Sequence, residues 1–403
     1  MELTKNQKIA VQKALQWYYL DSYFKNYFIL CGLAGTGKST VVRYIIEALA
    51  LPPHYKVLFA TPTGKAALRL RMNGLDANTI HKTFYNVYKS KNGEVRFSKK
   101  RKLETNIKLI VIDEFSMIND AMISDILSFR VPTIFLGDNH QIPPVFGRNS
   151  LIANEKNINV LLTEIMRQSD ESGILDLAQY AIDKKTIPCG EYKKSRVLRY
   201  KDVVTELHTY DVVLCWKNAT RIEMNTTIRE RLGYADSIYP KQGEKVLTLR
   251  NNYDHTISSD DLQILIINGM ISIMDDDARE EKDCIVCNFT PDFVHYGLND
   301  VGFENIKCYK NYFQFYNNPF TFLPTFKKKY QVVDEKGDKV EIAEQSELIH
   351  MDFGYVLTFF KAQGSEWDNV LILDEFQGSE DKYFKMIYTA ITRAKKRVDI
   401  ALM

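Results

Sequence analysis

The chain has 403 residues, of which 53 are lysine or arginine and 51 aspartate or glutamate, for a formal charge of +2. At roughly 150 residues per domain this length holds about two to four domains, and the near-neutral sum excludes a histone-like polycation while permitting a local basic groove. With 45% hydrophobic and 26% charged residues, 19 glycines, 11 prolines and six cysteines, the composition excludes global disorder, fibrous repeats and a disulfide framework. No apolar run reaches the roughly 18 residues of a membrane helix, and Met1–Gln7 lacks a signal-peptide core, so a reducing, cytoplasmic setting is expected.

In chain order, residues 5–20 set Ile9, Ala10, Ala14, Leu15, Trp17 and Tyr18 at helical spacing, with Thr4 as N-cap. The apolar run 27–31 ends in a glycine-rich turn, and a helix pattern runs from Ser39 to Leu49. Val57–Ala60 predicts a buried strand, Ala66–Met72 a helix, and Leu109–Ile112 and Thr133–Leu136 two further strands. A second alternation follows: strand Val212–Trp216, helix Ala219–Leu232, strand Val370–Leu373, helix Tyr383–Ala394 and strand Val398–Leu402. Short apolar strands alternating with helices predict a parallel α/β sheet covered on both faces. Residues 245–345 read differently. Val246–Leu249, Gln263–Ile267, Ile271–Met274, Cys284–Phe289 and Tyr330–Val333 are strand-like pieces between polar turns, which predicts a β-rich insertion. Cys284 and Cys287 form a lone C-x-x-C without a second pair at zinc spacing, so strand alternation explains them better than a metal.

Residues 32–39, Gly-Leu-Ala-Gly-Thr-Gly-Lys-Ser, match G-x-x-x-x-G-K-[ST] in full, with an apolar strand before and a helix pattern after. Glycines let successive backbone N–H groups turn towards a phosphate, and the helix N-terminus adds a favourable dipole. The pattern assigns nucleotide contact to Gly32, Leu33, Ala34, Gly35, Thr36, Gly37, Lys38, Ser39 and Thr40. Lys38 would reach the β and γ phosphates of ATP and Ser39 would ligate Mg2+. Strand Leu109–Ile112 delivers Asp113 and Glu114 to its carboxyl end, the first for the magnesium shell, the second as base or orienter of the attacking water.

The order of further motifs carries a resemblance. Asp-Glu-Phe-Ser-Met (113–117) precedes Gly-Asp-Asn-His-Gln-Ile-Pro-Pro-Val (137–145) and Leu-Thr-Glu-Ile-Met-Arg-Gln (162–168). Thr-Phe-Phe-Lys-Ala-Gln-Gly-Ser-Glu-Trp (358–367) and Tyr-Thr-Ala-Ile-Thr-Arg-Ala-Lys-Lys (388–396) follow. From Gln7 to Lys396 the set resembles superfamily 1 helicases, in particular the RecD-like and Dda-like 5′→3′ DNA helicases of superfamily 1B. The resemblance implies that Gln7 reads the adenine edge, that Gln141 senses the γ-phosphate, and that Arg167 and Arg393 stabilise charge on the transferring phosphoryl group. It places Glu366 near the ribose. A guanidinium suits such a role because its fork matches phosphate oxygens. The resemblance further implies single-strand contacts from Thr61, Pro62, Thr63, Lys65 and His81 in the first domain. Thr358, Lys361, Gln363, Gly364 and Ser365, with Asn218, would be their counterpart in the second. Phe360 departs from the family, which usually carries histidine there.

Residues 85–108 hold eight basic residues against Glu94 and Glu104, around the turn signal Asn92-Gly93. At this place the family carries a strand-separating β-hairpin, which makes Phe97 a candidate stacking residue. Arg250–Tyr253 and Asn268-Gly269 resemble the family's entry into an SH3-like barrel. The aromatic cluster Tyr309, Tyr312, Phe313, Phe315, Tyr316, Phe320 and Phe322 is expected to be core or interdomain contact.

The expected fold is therefore α/β, with two RecA-like P-loop NTPase domains, a small β-hairpin insertion and an SH3-like β-barrel insertion. The first domain would span 1–168, with the hairpin at about 85–108. The second would span 169–245 and 346–403, with the barrel at 246–345. The expected function is that of a monomeric, ATP- and Mg2+-dependent DNA helicase. It would translocate on single-stranded DNA, act at forks and work beside replication or recombination proteins, away from membranes, in a bacterial or phage-infected cytoplasm. Two rivals are an RNA helicase of superfamily 1, because phosphate contacts alone do not separate DNA from RNA, and a nucleic-acid-binding subunit switched by ATP without unwinding.

Overall fold

The computed structural model describes residues 3–89, 95–103, 106–144, 146–164, 171–259, 262–282, 284–292, 302–310, 313, 329–333, 339–343 and 348–403. The chain divides into two compact units, one of residues 1–84, 101–221 and 357–403, the other of 85–100 and 222–356.

The first unit contains two sheets. In the first sheet the strand order is Ala77–Thr79, Val57–Thr61, Leu109–Ile112, Thr133–Gly137, Tyr27–Gly32, Val160–Leu162, with every neighbouring pair parallel. Helix Lys5–Gln16 opens with a reciprocal capping box: Thr4 Oγ1 accepts the Gln7 N–H and Gln7 Oε1 accepts the Thr4 N–H. The helix periodicity predicted to Leu20 instead widens into a π-helical turn at Trp17–Asp21. Ala10, Ala14 and Trp17 pack with Val41, Val42 and Ile45 of helix Lys38–Ala48 over Phe28 and Leu30. Each fully buried aliphatic side chain contributes about 1.5–3 kcal/mol. This layer thus anchors both the strand before the glycine loop and the helix after it.

The second sheet has the order Val356–Thr358, Val212–Cys215, Trp367–Asp374, Ala394–Leu402, Ser195–Arg199, Gly190–Tyr192. Its central pairs are parallel and its Gly190–Tyr192 edge is antiparallel. A buried ion cluster pins the far side: fully buried Asp399 accepts from Arg196 Nη2 at 2.7 Å, Tyr210 Oη at 2.6 Å and Arg397 Nη2 at 2.6 Å. Three oppositely polarised donors offset the cost of removing that carboxylate from water.

The second unit is antiparallel. Its main sheet runs Arg279–Glu280, Ile285–Pro291, Ile271–Met274, Lys245–Thr248, Met351–Phe353, and Phe303–Cys308 also pairs with Ile285–Pro291. Fully buried Glu244 holds Arg229 at 2.7 Å, and the guanidinium lies 3.9 Å from the Phe353 ring centroid. Phe313 is buried against Phe353 and Tyr309 packs on His350; Tyr312, Phe315, Tyr316, Phe320 and Phe322 lie outside the described residues. Cys284, Cys287 and Cys308 are buried free thiols. Among the described residues no group of side chains could hold a metal through His, Cys, Asp and Glu alone. Strands Tyr85–Lys89 and Val95–Lys99 pair antiparallel as a ladder, with Phe97 largely exposed. Among the described residues no helix is long and apolar enough to cross a membrane.

Candidate functional site

The carboxyl ends of the first sheet's strands carry the sequence-predicted nucleotide residues, which is where ligands bind in open parallel sheets. The loop after Tyr27–Gly32 turns through Gly35 and Gly37, both at positive φ, into helix Lys38–Ala48. Gly37 is required twice over. Its φ is 77°, and a Cβ there would meet Gln7 Nε2 at 2.6 Å. No side chain caps the helix end at Gly37. Its N-terminal N–H groups and positive dipole end therefore form a receptor for an anion. Lys38 Nζ donates to the carbonyls of Gly32 at 2.8 Å and Leu33 at 3.0 Å, which parks the ammonium over the loop. Thr36 is buried, with its hydroxyl on the Leu33 carbonyl; Ser39 is exposed at the helix start.

Gln7 is 4% exposed, and its amide is already engaged, Nε2 on the Thr36 carbonyl at 3.1 Å and Oε1 on the Thr4 N–H. In this chain it braces the phosphate loop from the first helix.

Asp113 and Glu114 end strand Leu109–Ile112. Asp113 is buried and one of its carboxylate oxygens accepts the Glu114 N–H at 2.8 Å. Burial, then the neighbouring Glu114 charge, raises the Asp113 pKa, against the lowering effect of Arg69, that N–H bond and Lys38. Glu114 sits at φ 55°, a left-handed conformation that a non-glycine residue rarely adopts, at a cost on the order of 1 kcal/mol. Its carboxylate lies 3.6 Å from Arg69 Nη2, and Arg69 Nη1 lies 3.5 Å from Glu366. Arg69, on helix Gly64–Met72, thus joins the acidic pair to the second sheet. Sequence reasoning missed it; its signal was the spacing of four from Lys65, which puts both residues on one helix face.

A buried, charge-crowded carboxylate at the end of strand Leu109–Ile112, an exposed serine hydroxyl and an uncapped helix end make up a donor set suited to a magnesium nucleotide. Mg2+ prefers one or two protein oxygens with phosphate and water completing its shell. Asp113 and Ser39 would hold it.

Gln141 is buried after strand Thr133–Gly137, and the next residue, Ile142, donates its N–H to Thr389 Oγ1 at 3.0 Å. Arg393 ends the turn after helix Glu380–Ile391. It is 3% exposed, with Nε on the Thr389 carbonyl at 2.9 Å, Nη2 on Thr392 Oγ1 at 3.1 Å and Nη1 towards the Ser365 carbonyl at 3.4 Å. Arg167 lies outside the described residues.

The residues assigned to the single strand fall into two groups. Lys65 Nζ donates to Ser365 Oγ at 2.8 Å, and Gly364, at φ 76°, lets the turn approach Thr63, whose Oγ1 a Cβ would meet at 3.3 Å. Burial first, then the Lys361 charge, pushes the Lys65 pKa down to about 7. Gln363 is buried with no partner for its Nε2, a donor that a ligand oxygen would satisfy. Pro62 is half-buried beside them, and Thr358 is buried as the N-cap of the short helix Phe359–Ala362. Thr61 is fully buried with its hydroxyl on the Thr63 carbonyl at 2.8 Å, and Thr63 Oγ1 caps helix Gly64–Met72, so both hydroxyls act within the fold. His81 is half-buried and its pKa is lowered by desolvation. Asn218 is exposed and its Oδ1 accepts from Arg221 at 3.3 Å. Phe360, in the place of the family's histidine, packs on Trp216 at 5.6 Å between centroids, and Trp216 meets Phe376 edge-on at 4.8 Å. An aromatic contact replaces a hydrogen-bonding side chain.

Two family models match the chain: the AAA domain over residues 2–199 and the UvrD-like helicase C-terminal domain over residues 353–400. The chain is similar to the ATP-dependent RecD2 DNA helicase of Deinococcus radiodurans, with 26% identity over 376 residues, 92% of this chain and 46% of that protein. It therefore spans less than half the length of that relative. Over 152 residues it is 32% identical to the ATP-dependent DNA helicase dda of Enterobacteria phage T4, covering 36% of this chain and 33% of that one. Its fold is like that of the Pif1 helicase from Bacteroides in complex with ADP-AlF3 and single-stranded DNA. The TM-score is 0.58 at 18% identity, over 100% of this chain and 93% of that chain. With the two family modules in one chain, a phosphate loop and acidic pair on the first sheet and the arginine-bearing turn on the second, the chain is similar to the superfamily 1B DNA helicases and carries an AAA domain and a UvrD-like helicase C-terminal domain.

Proposed function

We propose that this chain is an ATP-dependent DNA helicase that moves along single-stranded DNA in the 5′→3′ direction and separates duplex strands. One observation carries the reading. The uncapped phosphate loop and the acidic pair of the first sheet are joined, through Arg69–Glu366 and Lys65–Ser365, to the segment of the second sheet that bears the expected single-strand contacts. Nucleotide chemistry and strand grip thus share side chains.

In this reading Lys38 leaves its loop carbonyls for the β and γ phosphates. Glu114 accepts a proton from water as the water oxygen bonds the γ-phosphorus and the bond to the ADP oxygen breaks. Ser39 and Asp113 would hold Mg2+, which would neutralise charge on the phosphates. Arg393 exchanges its carbonyl contacts for the transferring phosphoryl group, and Arg167 joins it. Lys65, Lys361, Gln363 and Ser365 hold strand phosphates, contacts that carry no sequence information. Alternate tightening of the two sheets' contacts moves the strand through. Residues 1–168 serve as the first RecA-like domain and 169–245 with 346–403 as the second. Residues 246–345 serve as the family's SH3-like insertion, and the basic hairpin acts at the fork. The DNA choice and the polarity rest on the family resemblance.

The test is the ATPase rate with single-stranded DNA, with RNA and with neither, followed by strand separation on substrates with 5′ or 3′ tails. Stimulation by DNA and unwinding from a 5′ tail are expected. Stimulation by RNA alone would make the chain an RNA helicase, and stimulation without unwinding would make it an ATP-switched binding subunit.

A further inference from the structure

Phe360, where the family carries histidine, is one of three aromatic residues at one edge of the second sheet. Its helix, Phe359–Ala362, follows strand Val356–Thr358, and the neighbouring strand, Val212–Cys215, leads directly into Trp216. Phe376 lies two residues past the end of strand Trp367–Asp374, which pairs parallel with Val212–Cys215. Trp216 and Phe376 thus stand at the carboxyl ends of adjacent parallel strands, the edge at which open sheets bind ligands. Phe360 lies 5.6 Å from Trp216 between centroids and Trp216 lies 4.8 Å from Phe376, so the three rings form a row. Phe359, one residue earlier, is 2% exposed and belongs to the core. Phe360, Trp216 and Phe376 are each half-buried and keep part of their surface in solvent.

The row is held in place. Glu375 accepts the Trp216 N–H at 2.9 Å, the Lys217 N–H at 2.8 Å and the Thr220 hydroxyl at 2.5 Å, which ties the backbone at Trp216 to the residue before Phe376. Asp374, the other carboxylate beside the row, accepts the Tyr383 hydroxyl at 2.8 Å. Both acidic groups are therefore engaged within the fold. The cations next to the rings in the chain are Lys217, which is exposed, and Lys361, which is half-buried. An aromatic surface edged by cations is complementary to bases carried on a phosphate backbone.

We propose that Trp216 and Phe360 stack on a base of the bound single strand, so that the second sheet grips the strand by a base face as well as by its phosphates. The proposal rests on the single-strand reading above. A histidine at position 360 would offer a hydrogen bond; phenylalanine offers only its ring. Stacking accepts every base, because every base has a π-face, and the lysines beside the rings supply the salt-dependent attraction to phosphate. A row already fixed by Glu375 loses little side-chain freedom when a base settles on it. The grip is tolerant of sequence yet requires bases: a strand of sugar and phosphate alone forfeits it.

Tryptophan fluorescence tests this on the unaltered chain. Of the three tryptophans, Trp17 and Trp367 are 4% and 8% exposed, which leaves Trp216 as the one a base can cover. At saturation, oligodeoxythymidylate should quench the emission, and an abasic strand of equal length should not. Trp216→Phe should still bind oligodeoxythymidylate but lose the quench. Phe360→Leu should bind the base-bearing strand about tenfold more weakly and the abasic strand with near wild-type affinity. Phe360→His, which restores the family's residue, should likewise narrow the difference between the two strands. Equal quenching by both strands, or an equal loss of affinity for both in Phe360→Leu, would overturn the proposal and leave the phosphate grip standing. A wild-type chain that binds neither strand would overturn the single-strand reading and the proposal with it.

Discussion

At the first sheet the helix after Gly32–Ser39 begins without a side-chain cap, whereas at the second the buried Arg393 guanidinium is bonded to three oxygens of its own chain. Both are largely parallel sheets, but the first delivers its residues at the carboxyl ends of its strands, whereas Arg393 and Gln363–Glu366 directly precede strands Ala394–Leu402 and Trp367–Asp374 of the second. What differs is the state of one group on each side, a helix end without a side-chain cap at Gly37 and a guanidinium bonded throughout at Arg393. Uncapped N–H groups make the first sheet a preformed receptor. At the second sheet Arg393 would have to exchange existing partners before it reached a ligand, so its proposed contribution would be conditional. In the helicase proposed above, that asymmetry would give the two sites an order of events.

Breaking the receptor side should have the largest effect. Lys38→Ala removes the ammonium parked on Gly32 and Leu33, and ATP turnover should fall to background while melting and weak single-strand binding stay near wild type. Turnover near the wild-type rate would end the assignment. On the conditional side, Arg393→Ala should bind ATP yet turn over about 10³-fold more slowly. It should also lose about 1–3 kcal/mol of stability, because buried carbonyls lose their donor. Collapsed nucleotide affinity with unchanged turnover at saturation would make Arg393 part of the receptor and erase the contrast.

Replacing Val87–Lys102 by a short Gly/Ser turn tests whether the two sheets suffice as the ATP motor. Unwinding should fall strongly while single-strand-stimulated ATPase survives. The salt slope of binding should flatten by about one unit per lost phosphate contact. Equal loss of both activities would assign the ladder to the track, and no loss would reduce it to a solvated loop. The smallest effect should come from the link between the sheets. A double-mutant cycle of Arg69→Ala with Glu366→Gln, read by denaturant unfolding, should give a coupling of about 0.5–1 kcal/mol. Strict additivity would mean that the 3.5 Å pair couples nothing.

Most central strands were legible because an apolar run flanked by turn residues has one good use, burial in a sheet. Leu109–Ile112 was located to the residue, and Val212–Cys215 and Thr133–Gly137 to within one. The edges were not: three-residue strands such as Ala77–Thr79, Val160–Leu162 and Gly190–Tyr192 are too short for a period to register. Helix Ile174–Ile182 also escaped, although Leu177, Ala178 and Ala181 form a buried stripe. In the candidate site, the loop and the acidic pair stand out in sequence because phosphate chemistry favours their residue types. Arg69, Asp138 and Tyr388 were not, because their contacts, Arg69 with Glu114 and Glu366 and Tyr388 with Asp138, join segments far apart in the chain. Thr61 shows the converse, a hydroxyl that matched a contact motif but is closed off inside its own strand end.

If Lys65 holds a strand phosphate as proposed, its amine, with its pKa lowered to about 7 from an ordinary 10.5, would tie strand capture to proton traffic. Between those values the unfolded side chain keeps a proton that the folded one releases, so this group's contribution to stability rises with pH across the window. A phosphate beside it pulls the equilibrium back towards the ammonium. Near neutrality, then, each chain that seizes a strand should draw a fraction of a proton from the medium. Heats of binding should scale with the ionisation enthalpy of the buffer, and Lys65→Met should abolish that dependence.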